Sequence, residues 1–186
     1  MKTQVEKYHT AMAGEFLVAA QLHRNGLMAS VSYGNAKKAD VIVSSPDSLS
    51  AVVIEVKTSP EGAWRVGNRT PQACNKPWVF VHLPAIPTEP PEFFVMTQKD
   101  VHEILMPLEE RYLEEFERIH GESHGKRQGF AKMEKAQAEP YRDNWATIFN
   151  LLLEPGYREL AQDEAAEAEA LEWCEALIGD VGDEPW

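Results

Sequence analysis

The stretch ADVIVSSPDSLSAVVIEVKTS, residues 39–59, predicts a β-hairpin. Two apolar runs rich in β-branched residues, 40–44 and 51–58, flank a polar link at 45–50 that contains a proline. This order is typical of a strand, a turn-rich loop and a second strand. The hairpin is therefore the local structure on which the rest of the chain is arranged.

The register of this hairpin brings charged residues together at its open end. If the strands are antiparallel and the loop begins and ends with the apolar runs, Ser44 faces Ala51 and Asp40 lies opposite Glu55. Side chains alternate along a strand, so Glu55 and Lys57 share one face. Two carboxylates and an ammonium group at the end of a hydrophobic hairpin conflict with core patterning, and such conflicts are expected at functional sites.

Paired carboxylates of this kind predict a divalent metal site. Two neighbouring carboxylates repel and raise each other's pKa unless a cation lies between them. Mg²⁺ binds through one or two carboxylates with water and phosphate oxygens, and Mn²⁺ accepts similar ligands. Lys57 would orient a water molecule or neutralise charge on a phosphoryl group. The alternative is an exposed cross-strand ion pair, which also explains Glu-x-Lys.

The first helix, predicted over residues 10–26 and ended by Gly26, adds a third carboxylate. At 100° per residue, Glu15 falls in the middle of the apolar arc, with Leu22 and Ala19 within 40° of it. A carboxylate directed toward a core is paired, protonated or metal-bound. A buried salt bridge and stabilisation by the helix dipole are the alternatives for Glu15.

Composition limits the class of protein. The 186 residues indicate one domain with a sizeable core, and no apolar run approaches the roughly 20 residues of a membrane span. The first ten residues lack the apolar stretch of a signal peptide, so we expect a cytoplasmic protein with reduced cysteines.

The acidity of the chain is concentrated near its C-terminus. Residues 154–186 hold eleven acidic residues and one basic residue, a net charge of −10 out of −12, so the first 153 residues carry only −2. The Ala/Glu-rich composition of this acidic segment predicts a helix over residues 157–178. It is either a packed helix with a solvated acidic face or an appendage that binds a protein partner or mimics DNA.

Further elements follow from composition. Strands are predicted at 27–33, 78–83 and 92–96, and a helix from about Gln98. Residues 60–77 are predicted to form an irregular polar loop, which is either a solvated loop or part of a phosphate-contacting rim. The basic residues assigned to that rim are Lys37, Lys38, Arg65, Arg69 and Lys76.

The order of these elements resembles the PD-(D/E)XK, or restriction-endonuclease-like, superfamily over about residues 14–105. The chain is similar to small bacterial nuclease-like proteins and archaeal Holliday-junction resolvases in three stretches, GEFLVAAQLHRNG, YGNAKKADVIV and AVVIEVKTS. The resemblance implies Asp40 and Glu55 as metal ligands, Glu15 completing the acidic cluster, the carbonyl of Val56 as a further ligand, and Lys57 as the catalytic lysine. Alanine stands in place of the family's proline before Asp40.

The expectations are then as follows. The fold is α/β, with a restriction-endonuclease-like mixed sheet flanked by helices in residues 1–153 and an acidic helical extension in 154–186. The resemblance implies hydrolysis of phosphodiester bonds in DNA with Mg²⁺ or Mn²⁺, and analogy with relatives favours a homodimer. A nuclease-fold adaptor without catalysis and an acidic DNA-mimicking protein are the alternatives.

Overall fold

The computed structural model describes residues 3–32, 40–46, 50–86, 88–121, 123 and 131–160, with side chains up to residue 153. Its helices and strands are α1 (Gln4–Arg24), β1 (Met28–Val31), β2 (Val41–Ser44), β3 (Ala51–Ser59), β4 (Ala63–Gly67), β5 (Pro77–His82), β6 (Glu92–Thr97), α2 (Gln98–His120), β7 (Ala131–Glu134), α3 (Lys135–Ala138) and α4 (Ala146–Leu160).

A mixed five-stranded sheet forms the centre of the described part, in the order β1-β2-β3-β5-β6. The pairs β1–β2, β2–β3 and β5–β6 are antiparallel, whereas β3 and β5 are parallel. Helices flank this sheet, as the sequence predicts at the level of fold class. The strand β3 lies in the middle, where its first half pairs with β2 and its second half with β5.

The central hairpin has the predicted register. Ser44 pairs with Ala51 and Val41 with Ile54. The Asp40 amide donates to the Ile54 carbonyl at 3.3 Å, so the ladder continues one residue beyond β2. This continuation holds Asp40 at the open end of the hairpin, beside β3.

Helix α1 begins earlier than predicted, at Gln4 rather than residue 10. The Thr3 hydroxyl accepts from the Glu6 amide while the Glu6 carboxylate accepts from the Thr3 amide, which is a capping box. The prediction began at the apolar pattern and missed this polar first turn. The buried face of α1 carries Val18 and Leu22 against the apolar side of the sheet.

The predicted irregular loop at residues 60–77 is wrong in its first part, because residues 63–67 form β4. This strand pairs antiparallel with β7, about 65 residues further along the chain, in a small second sheet. Trp64 of β4 is buried, packs against Phe80 and Phe94, and donates its indole N–H to the Val81 carbonyl at 2.9 Å. Burial of this side chain fixes β4 beside the central sheet.

A charged cluster around Glu92 joins β5 and β6 to the segment that follows β7. The Glu92 carboxylate binds His82, Lys135 and Arg142, and the Arg142 contact measures 2.8 Å. Burial alone would raise the Glu92 pKa, but these hydrogen bonds outweigh it and lower the pKa to about 2. The cluster stabilises the fold at neutral pH.

Helix α4 continues through position 154, where the acidic extension is predicted to begin, and is described as far as Leu160. Residues 161–186, which hold most of that extension, lie outside the described residues, as do Lys37 and Lys38. No helix among the described residues has the length and apolarity that a membrane span needs.

Candidate active site

The structure brings Glu15, Asp40, Glu55 and Lys57 into one cluster, where α1 crosses the open end of the hairpin. Asp40 lies at the start of β2, and Glu55 and Lys57 lie on one face of β3. The charges of Asp40, Lys57 and Glu55 all act on the Glu15 carboxyl. Four groups spread over 43 positions of sequence are therefore electrostatic neighbours.

A glycine sets the distance between α1 and β3. A Cβ atom at Gly14 would lie 1.8 Å from the Thr58 hydroxyl oxygen and 2.9 Å from the Thr58 Cβ, which no real contact allows. Gly14 is buried and precedes Glu15, so the lack of a side chain lets the helix backbone approach β3. Glu15 reaches the cluster because of this close approach.

The carboxylate of Asp40 is fixed by one hydrogen bond to the backbone. Its Oδ2 atom accepts from the Val56 amide at 2.8 Å, and no hydrogen bond to Oδ1 is found among the described residues. Burial raises the Asp40 pKa most, and the Glu55 charge adds to this rise. The Val56 hydrogen bond and the lysines Lys57 and Lys76 oppose it without cancelling it. One oxygen of Asp40 thus remains available to a cation.

Glu15 is the most strongly perturbed carboxyl of the cluster. Its pKa rises to about 7, first because it is partly buried and then because Asp40 repels its charge; Glu55 adds to the repulsion, and Lys57 opposes it. Near neutral pH this group is close to half-protonated. That state reflects partial burial first and repulsion from neighbouring carboxylates second, at the place where the sequence predicts a metal ion.

Glu55 is instead neutralised by two lysines. Lys57 Nζ contacts Oε1 at 2.6 Å and Lys76 Nζ contacts Oε2 at 2.7 Å. Burial would raise the Glu55 pKa, but these two hydrogen bonds outweigh it and leave the pKa lowered. Lys57 also lies 5.4 Å from the centre of the Trp78 ring, which holds its ammonium group by a cation–π contact.

The donor chemistry suits Mg²⁺, with one qualification given by the geometry. Carboxylate oxygens are the ligands Mg²⁺ prefers, one or two protein carboxylates suffice, and Glu15 and Asp40 carry charge that a cation would relieve. Both Glu55 oxygens are held by lysines, however. Among the residues described, no three His, Cys, Asp or Glu side chains are grouped closely enough to hold a metal ion. Asp40 and Glu15 are the carboxylates best placed for Mg²⁺, and Glu55 would have to exchange a lysine for it.

The predicted basic rim is divided by the fold. Lys76 binds Glu55 in the cluster, Arg65 projects from β4 beside it, and Arg69 is held by Glu109 of α2 at 3.0 Å on another face. Val56 is buried, and its side chain points away from the cluster into the apolar core. Arg69 therefore does not join the rim, because its charge is neutralised elsewhere.

Sequence reasoning missed two contributors to the site. The sequence predicts Lys76 as a phosphate contact and not as a partner of Glu55, because a residue in a loop carries no periodicity that could place it. Gly14 has no role in the sequence prediction, although a glycine inside a helical pattern signals close packing.

Comparison of the chain with protein-family models, curated proteins and solved structures finds no match.

Proposed function

We propose that this chain is a nuclease of the restriction-endonuclease-like type, which hydrolyses phosphodiester bonds in DNA with Mg²⁺ or Mn²⁺. The observation that carries the proposal is the convergence of Glu15, Asp40, Glu55 and Lys57 at one end of the central hairpin. The antiparallel strands followed by the parallel pair β3–β5 agree with the mixed sheet that the resemblance implies.

The proposed roles follow from the contacts. Asp40, held by the Val56 amide, and Glu15 would hold the metal ion. When bound, that ion would activate a water molecule and withdraw charge from the scissile phosphate. Lys57, held by Glu55 and the Trp78 ring, donates a hydrogen bond from Nζ to the attacking water or to a phosphoryl oxygen.

Glu55 is paired with two lysines, so Lys57 can leave this carboxylate and contact a substrate. When Lys57 turns toward substrate, Lys76 still neutralises Glu55, so the carboxylate is not left unpaired in a partly buried place. The Lys57 side chain is 29% exposed, which permits contact with a substrate at the surface. The pair thus supports a lysine that moves without large electrostatic cost.

Cleavage of supercoiled plasmid in Mg²⁺ and in Mn²⁺ tests the function. We expect the wild type to nick the plasmid and Asp40→Asn and Lys57→Met each to lose about 10²-fold or more in rate, as removal of one electrostatic contributor does elsewhere. Lys99→Met, on the exposed face of α2, is the matched control and should cleave at the wild-type rate. Undiminished cleavage by Asp40→Asn or Lys57→Met would refute the proposed roles.

One observation favours a second function, a DNA-binding adaptor with this fold. Both Glu55 oxygens are engaged by lysines, and this arrangement is complete without a metal ion. An adaptor would bind DNA equally well with and without EDTA and would cleave no plasmid in either metal. The nuclease requires divalent metal for turnover, so the plasmid assay separates the two functions.

A further inference from the structure

A cleft of about 410 Å³ lies next to the acidic cluster, between the first turns of α1 and the β3–β4 connection. Lys57 lines this cleft and also binds Glu55, so the cleft and the cluster share one side chain. The volume is that of a site for one small ligand or a single nucleotide, not for a duplex. Any strand bound at the cluster has this cleft beside it.

Positive charge prevails in the cleft. Its lining carries Lys7 from α1, Arg65 from β4 and Lys57, against one acidic residue, Glu61. Lys7 makes no ion pair with any described residue. The Arg65 guanidinium donates to the neutral amide oxygen of Asn68 at 2.6 Å, so its charge is not compensated. In a chain of net charge −12, an excess of cations around a concave surface favours an anionic ligand.

The two uncompensated cations come from different elements that line the cleft. Lys7 stands on the helix side and Arg65 on the strand side, and Thr10 lines the wall one helical turn after Lys7. The Thr10 hydroxyl donates to the Glu6 carbonyl at 2.9 Å, so its oxygen keeps lone pairs and carries no charge that would repel an anion. A phosphate between the walls would meet a cation from each side.

We propose that this cleft binds the phosphate of the nucleotide adjacent to the scissile bond, with Lys7 and Arg65 as its contacts. The proposal rests on the proposed nuclease function, since Lys57 links the cleft to the chemistry. Phosphate contacts of this kind position a strand without reading its sequence. The cleft thereby predicts the path of the strand across the site, from the acidic cluster past Lys57 to β4.

The test measures binding of fluorescein-labelled single-stranded DNA by anisotropy, in EDTA, over a series of KCl concentrations. Lys7→Gln/Arg65→Gln removes both contacts. Arg111→Gln/Arg118→Gln, on the exposed end of α2, removes the same charge at a distance. Each lost contact lowers the slope of log K against log salt by about 0.7 for a single strand. We expect the cleft variant to lose about 1.4 in slope and at least about tenfold in affinity at 0.1 M salt, while the control keeps the wild-type values.

The same proteins separate failure of the cleft from failure of the nuclease. Loss of slope in the cleft variant, without plasmid cleavage by the wild type, would leave a phosphate site but refute the nuclease. Cleavage that depends on Asp40, together with an unchanged slope in the cleft variant, would refute the phosphate site alone. An equal loss of slope in the control variant, or no binding of the strand by the wild type, would also overturn the site. Circular dichroism confirms that both double variants are folded.

Discussion

Replacement of Glu15 by glutamine should stabilise the folded protein at pH 8 and leave its stability unchanged near pH 4.5. The Glu15 pKa is 4.5 in an unperturbed chain and about 7 in the fold, so the folded state holds the proton more tightly. Below pH 4.5 the carboxyl is protonated in both states. Between pH 4.5 and 7 only the unfolded chain releases the proton, so the free energy of unfolding falls with rising pH and levels off above 7. Glutamine, which is never charged, removes this loss.

The size of the effect follows from the pKa difference. At about 1.4 kcal/mol for each pKa unit, the full difference corresponds to an upper limit of about 3 kcal/mol. Glu15 is only partly buried, and solvent screening reduces this figure to about 1–2 kcal/mol. The same substitution should abolish metal-dependent cleavage, because Glu15 supplies a proposed metal ligand. A variant that gains stability while it loses activity is the expected result for a functional carboxylate that is destabilised by burial and by neighbouring charges.

Urea unfolding at pH 4.5, 6 and 8 measures this difference between wild type and variant, so that all other titrating groups cancel. Glu103→Gln on the exposed face of α2 removes the same charge and serves as control. If Glu15→Gln were less stable than wild type at pH 8, or differed from it by the same amount at all three pH values, the account of the cluster would be wrong.

Three further predictions concern the same fold. Gly14→Ala should lower the free energy of unfolding by about 1–3 kcal/mol through the clash with Thr58, and Thr58→Ala should recover part of this loss. Urea unfolding of the double-mutant cycle measures the recovery, and simple additivity of the two substitutions would contradict the close approach. Glu92→Gln should lower the free energy of unfolding by about 1–2 kcal/mol above pH 4.5, and this loss should disappear as the pH falls to about 2, because the Glu92 pKa is depressed in the fold. Acid unfolding monitored by circular dichroism measures the loss, and a loss that persists at pH 2 would refute the prediction. Mg²⁺ at a hundred times its Kd should add about 2.7 kcal/mol to the stability of the wild type but not of Asp40→Asn, as thermal unfolding would reveal, and an equal gain in both would place the ion elsewhere.

The hairpin and its charged end were predictable because the information is local. The apolar runs end where the loop begins, which fixes Ser44 opposite Ala51 and, by alternation, the side on which Glu55 and Lys57 lie. The position of Glu15 followed from helical periodicity in the same way. Each of these inferences needs only a few neighbouring residues.

The parts that sequence reasoning missed depend on distant partners. β4 is short and polar on its outer side, and its partner β7 is far along the chain, so nothing near residues 63–67 marks a strand. Lys76 meets Glu55 because β5 runs parallel to β3, a pairing that no local pattern specifies. The cleft is likewise formed by α1 and β4, which only the tertiary fold brings together.

The strand β3 differs from β4 in how firmly it is held. β3 pairs with β2 over residues 51–54 and with β5 over residues 55–59, and a helix packs on one face, whereas β4 belongs to a sheet of two strands. Amide hydrogens of β3 should therefore exchange more slowly than those of β4, because opening β4 exposes Trp64 but leaves the five-stranded sheet intact. Glu55 and Lys57 would keep their geometry during such an opening, while the wall that carries Arg65 moves aside. The chemical groups on β3 are therefore held more firmly than the cationic wall beside them.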